Sequence, residues 1–220
     1  MCGRFVSASP PDELARYFQV EQVAERVLEP SFNVAPTKDI YVVVERGGVR
    51  RLDTYHWGLI PFWAKDRKVG QRMINARAEG LADKGAYRRA FQKRRCIIPA
   101  DGFYEWKREP GAKRKQPMFV QRKDGEPLAL AGLWELWKPK ETEDDPETWV
   151  RSCTIITGEP NDLMAPIHDR MPVLLPPSAW DTWLHAENDD LDTLGQLLVP
   201  APSELLVVQP VSLRVNDVRN

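Results

Sequence analysis

The chain has 220 residues, 42% hydrophobic and 29% charged, an ordinary globular mixture that excludes disorder over most of its length. At this size folding buries roughly 70% of the unfolded chain's surface, so a core forms without disulfide or metal staples. Lys plus Arg number 31 and Asp plus Glu 32, a formal charge of -1, which excludes a uniformly basic nucleic-acid binder but leaves room for a local basic cleft. No apolar run approaches the ~20 residues of a membrane span, and the start Met-Cys-Gly-Arg has no apolar signal segment. A cytoplasmic or nuclear protein is expected. Cys2, Cys96 and Cys153 lack the close Cys or His pairs of a zinc site, so the expectation is reduced thiols and no metal. Eight Trp, and 19 Pro against 13 Gly, suggest a chain rich in loops and sheet.

Ser9-Pro10-Pro11-Asp12 has the form of a helix start: a hydroxyl cap, proline in the first turn and an acid three residues after the cap. Leu14, Tyr17 and Phe18 follow at helical spacing. Residues 39–45 (DIYVVVE) form a β-branched run ending at Gly47-Gly48, and with 49–57 they read as a hairpin. Residues 84–93 read as a helix with Tyr87, Ala90 and Phe91 on one side, and 96–99 and 102–106 as strands. Asp124-Gly125 signals a second hairpin, between 118–122 and 128–137. Residues 138–148, with Pro139, Pro146 and five acids, read as a solvated loop. Then come a strand at 150–157, a helix at 177–185 with Trp180, Trp183 and Leu184 facing in, and a last strand at 205–208. There are no repeats, no linker and no regular alternation of helix and strand. The expected fold is therefore one α+β domain, 1–220, built on a mainly antiparallel, curled or barrel-like sheet with short peripheral helices.

The most informative residue is Cys2. Methionine aminopeptidases remove Met1 when the next side chain is small, which leaves an α-amine and a thiol on adjacent carbons. Such a 1,2-aminothiol condenses with an aldehyde to an imine, and the thiol then closes a five-membered thiazolidine. The amine has a pKa around 8 and the thiol about 8.5, so both nucleophiles are available near neutrality. Gly3 lets the backbone turn tightly, and Arg4 can hold an anion near the nucleophile.

Six segments then occur in order: Met-Cys-Gly-Arg-Phe at the start, Phe32-Asn33-Val34-Ala35-Pro36, Trp57-Gly58-Leu59-Ile60-Pro61, Ile74-Asn75-Ala76-Arg77-Ala78-Glu79, Asp101-Gly102-Phe103-Tyr104-Glu105-Trp106 and Ile167-His168-Asp169-Arg170-Met171-Pro172. The series, spread over most of the chain, closely resembles the SRAP family, the SOS-response-associated peptidases, which act as sensors of abasic sites in DNA. Pro210-Val211-Ser212 and Asn216-Asp217-Val218 suit the family's C-terminal end.

The resemblance implies that Cys2 attaches covalently to the ring-opened abasic sugar in single-stranded DNA, and that Asn75, Glu105 and His168 are the other active-site residues. Asn75, which by itself reads as a helix cap, can orient the amine or the sugar without competing as a nucleophile. Glu105, among aromatic neighbours, can pass protons if its pKa is raised by desolvation. His168 suits acid–base work on the sugar oxygen or the leaving water, whereas His56 and His185 read as structural. Arg4, Arg77 and Arg170 are candidate phosphate ligands. Phe62-Trp63 resembles the family's aromatic wedge, and Asn33 and Thr157 are lesser candidate contacts. Arg88, Arg89, Lys93, Arg94 and Arg95 read either as an extension of a positive groove or as a solvated helix face. Cys96 and Cys153 read as core.

The expected function is sensing and processing of abasic sites, with strand elimination from the imine and self-removal of an N-terminal leader as associated activities. Two other readings compete. One is an N-terminal-nucleophile cysteine peptidase or amidohydrolase. The other is a noncatalytic reader of single-stranded or modified DNA. No metal or organic cofactor is implied. The expected partner is single-stranded DNA with abasic sites, with the replication machinery as a further candidate. A one-site covalent mechanism needs only a monomer. The expected location is the cytoplasm, at the nucleoid in a bacterium, or the nucleus in a eukaryote.

Overall fold

The computed structural model describes residues 2–142 and 144–218. It opens with β1 (Phe5–Ser7), α1 (Pro11–Tyr17), the two-residue β2 (Gln22–Val23) and β3 (Ser31–Val34). The first expected hairpin follows: β4 (Asp39–Arg46) and β5 (Val49–Trp57) pair antiparallel from Asp39 opposite His56 to Arg46 opposite Val49. Gly47 and Gly48 take φ of 62° and 74°, the left-handed values a two-residue turn of this hand requires. The chain continues through β6 (Asn75–Arg77), α2 (Arg88–Lys93), β7 (Arg95–Ala100), β8 (Gly102–Lys107) and β9 (Gln116–Arg122). It ends with β10 (Leu128–Trp137), β11 (Val150–Gly158), β12 (Met171–Pro172), α3 (Trp180–Leu184), α4 (Leu191–Gln196) and β13 (Leu206–Pro210).

Five strands close into a barrel. Antiparallel ladders join β5 to β4, β4 to β7, β7 to β10 and β10 to β11. A parallel pairing of β11 with β5, Ser152 opposite His56 and Cys153 opposite Trp57, completes the ring. A second, antiparallel sheet runs β13-β9-β8-β1-β3. The expected curled, mainly antiparallel α+β architecture is therefore what forms. No helix among the described residues is long and apolar enough to cross a membrane.

Because side chains alternate along a strand, the barrel strands feed two cores. Tyr41, Val43, Leu52, Ile97 and Leu133 pack with Leu14, Phe18, Phe91, Trp180 and Trp183 of the helices. The alternate residues Val42, Tyr55, Ile98, Leu130 and Ile155 share a cluster with Phe5, Phe103 and Val120 of the second sheet. Cys2, Cys96 and Cys153 lie in this second core among large side chains such as Phe5, Ile98 and Leu130, whose full burial contributes about 1.5–3 kcal/mol each.

Several expectations fail locally. β9 and β10 do not pair; β9 lies between β8 and β13, and β10 lies between β7 and β11. β9 is half exposed, whereas Leu128 to Leu133 at the start of β10 are buried on both faces, so the two strands belong to different layers. Pro127, which lacks an N–H, separates them. Ser9 does not cap α1 either: Pro10 holds the cap position, and the Ser9 hydroxyl donates to Asp101, whose carboxylate also accepts the Ala8 and Ser9 amides. Of 84–93 only Arg88–Lys93 is α-helical, and the first turn of the Trp180 helix is a 3-10 turn.

The loop 58–70 is pinched at its base. Gly58 has φ of 135°, and a Cβ there would lie 2.5 Å from the Gly70 carbonyl oxygen; a Cβ on Gly70 would lie 2.5 Å from that of Gly58. The Ile60 amide donates to the Ser152 hydroxyl at 2.8 Å, and the Ala64 carbonyl accepts the Trp137 indole N–H at 2.8 Å.

Candidate active site

Cys2 is fully buried immediately before β1. Phe5 in β1 pairs with Phe103 in β8, and Glu105, two residues further on, shares the face of Phe103 and is only 2% exposed. From the opposite side β6 pairs in parallel with β11, Asn75 opposite Ile155. This strand pairing replaces the helix cap that Asn75 suggests in isolation. The Asn75 side-chain N–H donates to the Cys2 carbonyl oxygen at 2.9 Å, while its own Oδ1 is buried and has no hydrogen-bond partner among the described residues. The Tyr87 hydroxyl donates to the Asn75 carbonyl at 3.4 Å.

His168 arrives on the turn 161–169, its amide donating to the Met164 carbonyl at 3.0 Å. Its Nε2 lies 4.0 Å from Glu105 Oε2. Its Nδ1 accepts the Arg170 amide at 3.0 Å and stands 2.8 Å from Asp169 Oδ1. Burial raises the Glu105 carboxyl above its usual range, against the opposing charge of His168. Burial, reinforced by the negative charge of Glu105, raises the Cys2 thiol far above the ordinary thiol range. The four expected active-site residues thus meet at one place.

The expected DNA contacts fall into three groups. Arg4 and Asn33 meet each other: the guanidinium donates to Asn33 Oδ1 and to the Val215 carbonyl, each at 3.0 Å. The Asn33 amide in turn donates to the carbonyls of Val215 and Asp217. Arg170 is held bidentately by Glu79 at 2.6 and 2.8 Å and donates to the Thr157 carbonyl at 2.5 Å. Thr157 itself is fully buried, with its hydroxyl toward the Ala76 carbonyl at 3.4 Å, and Arg77 is exposed. Phe62 and Trp63 stand out on the pinched loop at 47% and 55% exposure, with the Arg89 guanidinium 5.0 Å above the Phe62 ring.

Arg95 and Arg94 leave the surface cluster in which the sequence places them. Arg95 is 2% exposed, and its guanidinium donates to the carbonyls of Trp183, Phe91, Gln92, His185 and Asn188. Arg94 pairs with the buried Glu135 beside Trp134. Glu79 and Tyr87 received no role from the sequence. Glu79 stands two residues after Arg77 within a matched segment, so a signal for it existed.

A family model described as SOS response associated peptidase (SRAP) matches residues 1–218. The chain belongs to the SRAP family. Among its SRAP relatives is the abasic site processing protein YoqW of Bacillus subtilis (strain 168), 44% identical over 222 residues that cover 100% of this chain and 96% of the relative. The abasic site processing protein YedK of Escherichia coli (strain K12) is 30% identical, with coverage of 100% and 96%. Two crystal structures share the SRAP architecture seen here. A protein from Bordetella bronchiseptica has a TM-score of 0.77 at 28% identity, covering 96% of this chain and 100% of that one. A protein from Bacteroides thetaiotaomicron has a TM-score of 0.86 at 23% identity, covering 98% and 97%.

Proposed function

We propose that this SRAP protein processes abasic sites in single-stranded DNA by covalent capture through Cys2. The supporting observation is the convergence of Asn75, Glu105 and His168 on a buried N-terminal cysteine, together with the abasic site processing names of its relatives. Met1, whose removal the chemistry requires, lies outside the described residues.

In this reading the Cys2 amine attacks the aldehyde carbon of the ring-opened sugar, and loss of one water gives an imine. The thiol then adds to the imine carbon: an S–C bond forms as the C=N π bond opens onto nitrogen, and the S–H proton passes by way of Glu105 to that nitrogen, leaving a thiazolidine. Nothing is oxidised or reduced, and no cofactor takes part. Because the thiol is held protonated, the amine acts first. His168 delivers a proton to the departing oxygen. Asn75 fixes the Cys2 backbone, and its unpartnered Oδ1 accepts from the amine or a sugar hydroxyl. Arg4, Asn33, Arg77 and Arg170 line the path of the strand, whereas the expected contact from Thr157 is lost because that residue is fully buried and holds Arg170 through its carbonyl; Phe62 and Trp63 stack on or part the flanking bases. An imine at the first sugar carbon also acidifies the neighbouring protons, so strand elimination competes with ring closure. Self-removal of a leader by Cys2 completes the set of activities.

The test is intact mass and denaturing gel analysis after mixing the mature protein with single-stranded DNA bearing one abasic site, beside Cys2→Ser. A heat-stable adduct that is absent with Cys2→Ser is expected. Its absence from the parent, with Met1 shown to be removed, would overturn the mechanism in favour of amide hydrolysis or passive binding.

A further inference from the structure

A second concave surface lies at the other end of β11. It is a cavity of about 660 Å³ whose walls include Arg26, Arg46, Arg67 and Arg151 together with Trp134 and Trp149. The whole chain carries a net charge of -1, yet Asp39 is the one carboxylate among the described residues lining this cavity. Arg26 pairs with Asp39 at 2.6 Å, and Arg46 and Arg151 share Asp53 at 3.6 and 3.4 Å. Among the described residues no carboxylate pairs with Arg67, which is exposed, and none of the acids of the 138–148 loop pairs with any of the four arginines. Burial lowers the pKa of the neighbouring His56, so at neutral pH the arginines carry the positive charge.

Guanidinium forks beside indole rings match the two halves of a nucleotide, an anionic phosphate and a flat base. The position matters as much as the composition. The pinched loop that displays Phe62 and Trp63 also carries Arg67 into this cavity. Val150 and Arg151 line it at the start of β11, and Ile155, further along, pairs with Asn75. At about 3.3 Å per residue the separation from Asn75 is roughly 16 Å, some five nucleotides at the ~3.4 Å rise of B-form DNA and fewer if the strand is extended.

We propose that this cavity is a second nucleotide subsite, which holds a phosphate and base of the same single strand a few nucleotides from the lesion. The inference rests on the DNA reading of the Cys2 site. Its chemistry alone would also admit a free nucleotide, so the experiment separates the two sources.

The test is fluorescence anisotropy with lesion-free single strands of about 20 and about five nucleotides across a salt series. The proteins are the parent, Arg67→Ala/Arg151→Ala, and the charge-matched control Arg16→Ala/Lys123→Ala. Among the described residues Arg67 has no ion-pair partner to strand, and Asp53 keeps Arg46, so the first variant is expected to fold; a thermal melt checks this. It should weaken the longer strand about tenfold, lower the salt slope by about 1.4, and leave the shorter strand unaffected. Trp149→Ala should weaken the longer strand about fivefold. Equal losses in the two double variants, or no loss in either, would overturn the proposal. Binding of dAMP that the longer strand fails to displace would assign the cavity to a free nucleotide and overturn it as well. A parent that forms no adduct with abasic DNA counts against the Cys2 mechanism alone, since the lesion-free strands still decide the cavity.

Discussion

The side-chain amide of Asn75 donates to the carbonyl oxygen of Cys2 at 2.9 Å, so β6 anchors the backbone of a cysteine 73 positions away in sequence. β6 is itself held by its parallel pairing to β11. The position of Cys2 is therefore tied to the barrel as well as to the second sheet that β1 joins.

Replacing Asn75 by Ala removes that anchor without opening a large cavity. A misplacement of about 1 Å in a reacting group costs on the order of 100-fold in rate. Single-turnover adduct formation is expected to slow by about 10- to 100-fold, with the thermal midpoint nearly unchanged. Gel quantification beside a melt checks both.

Glu105→Gln separates stability from chemistry. Burial raises the folded-state pKa of Glu105, so the folded chain holds this proton more tightly than the unfolded chain. The carboxylate then costs stability that grows as pH rises from the unfolded pKa to the folded one. Glu105→Gln should raise Tm at about pH 7, leave it unchanged near pH 3, and slow adduct formation. Melts at both pH values and a pH–rate profile are the measurements.

If Arg170 binds phosphate as proposed, Glu79 competes for it. The Arg170 hydrogen bonds lower the Glu79 pKa, so the pair stabilises the fold above the unfolded pKa and loses that contribution as pH falls through the folded one. Because Glu79 is half exposed, the contribution is below about 1 kcal/mol. Glu79→Gln should tighten single-stranded DNA binding about threefold and steepen its salt slope by about 0.7, one extra phosphate contact. The added Arg170→Ala change should abolish that gain in the same anisotropy titration.

Arg95 makes the opposite kind of contribution. Arg95→Met leaves five carbonyls of α2, α3 and the turn after α3 without their donor. The expected loss is about 3 kcal/mol or more in urea unfolding, with the DNA affinity of the folded fraction unchanged.

The sequence made the β4–β5 hairpin legible because its alternation and its Gly47-Gly48 turn are both local signals. It also carried Cys2, Asn75, Glu105 and His168, which lie in ordered motifs. What it did not carry were non-local pairings. The Asp124-Gly125 turn reads as a hairpin, but the burial of Leu128 to Leu133 on both faces sends β10 into the barrel. The three-residue β1 and β6 have too few residues to show a period, although they position Cys2 and Asn75. Arg95 reads as surface charge because the carbonyls that hold it come from segments up to 93 positions away. Glu79 was visible as a residue, but its pairing with Arg170 depends on the parallel contact of β6 with β11.

The back-to-back contact of Gly58 and Gly70 has a thermodynamic consequence. A loop closed at its neck at this distance can move as a unit but has lost most of its internal conformational freedom. Phe62 and Trp63 are thus displayed to solvent by a segment that was ordered when the chain folded. A strand that stacks on them meets a preformed platform, so little of the interaction is offset by fixing the loop at the moment of association.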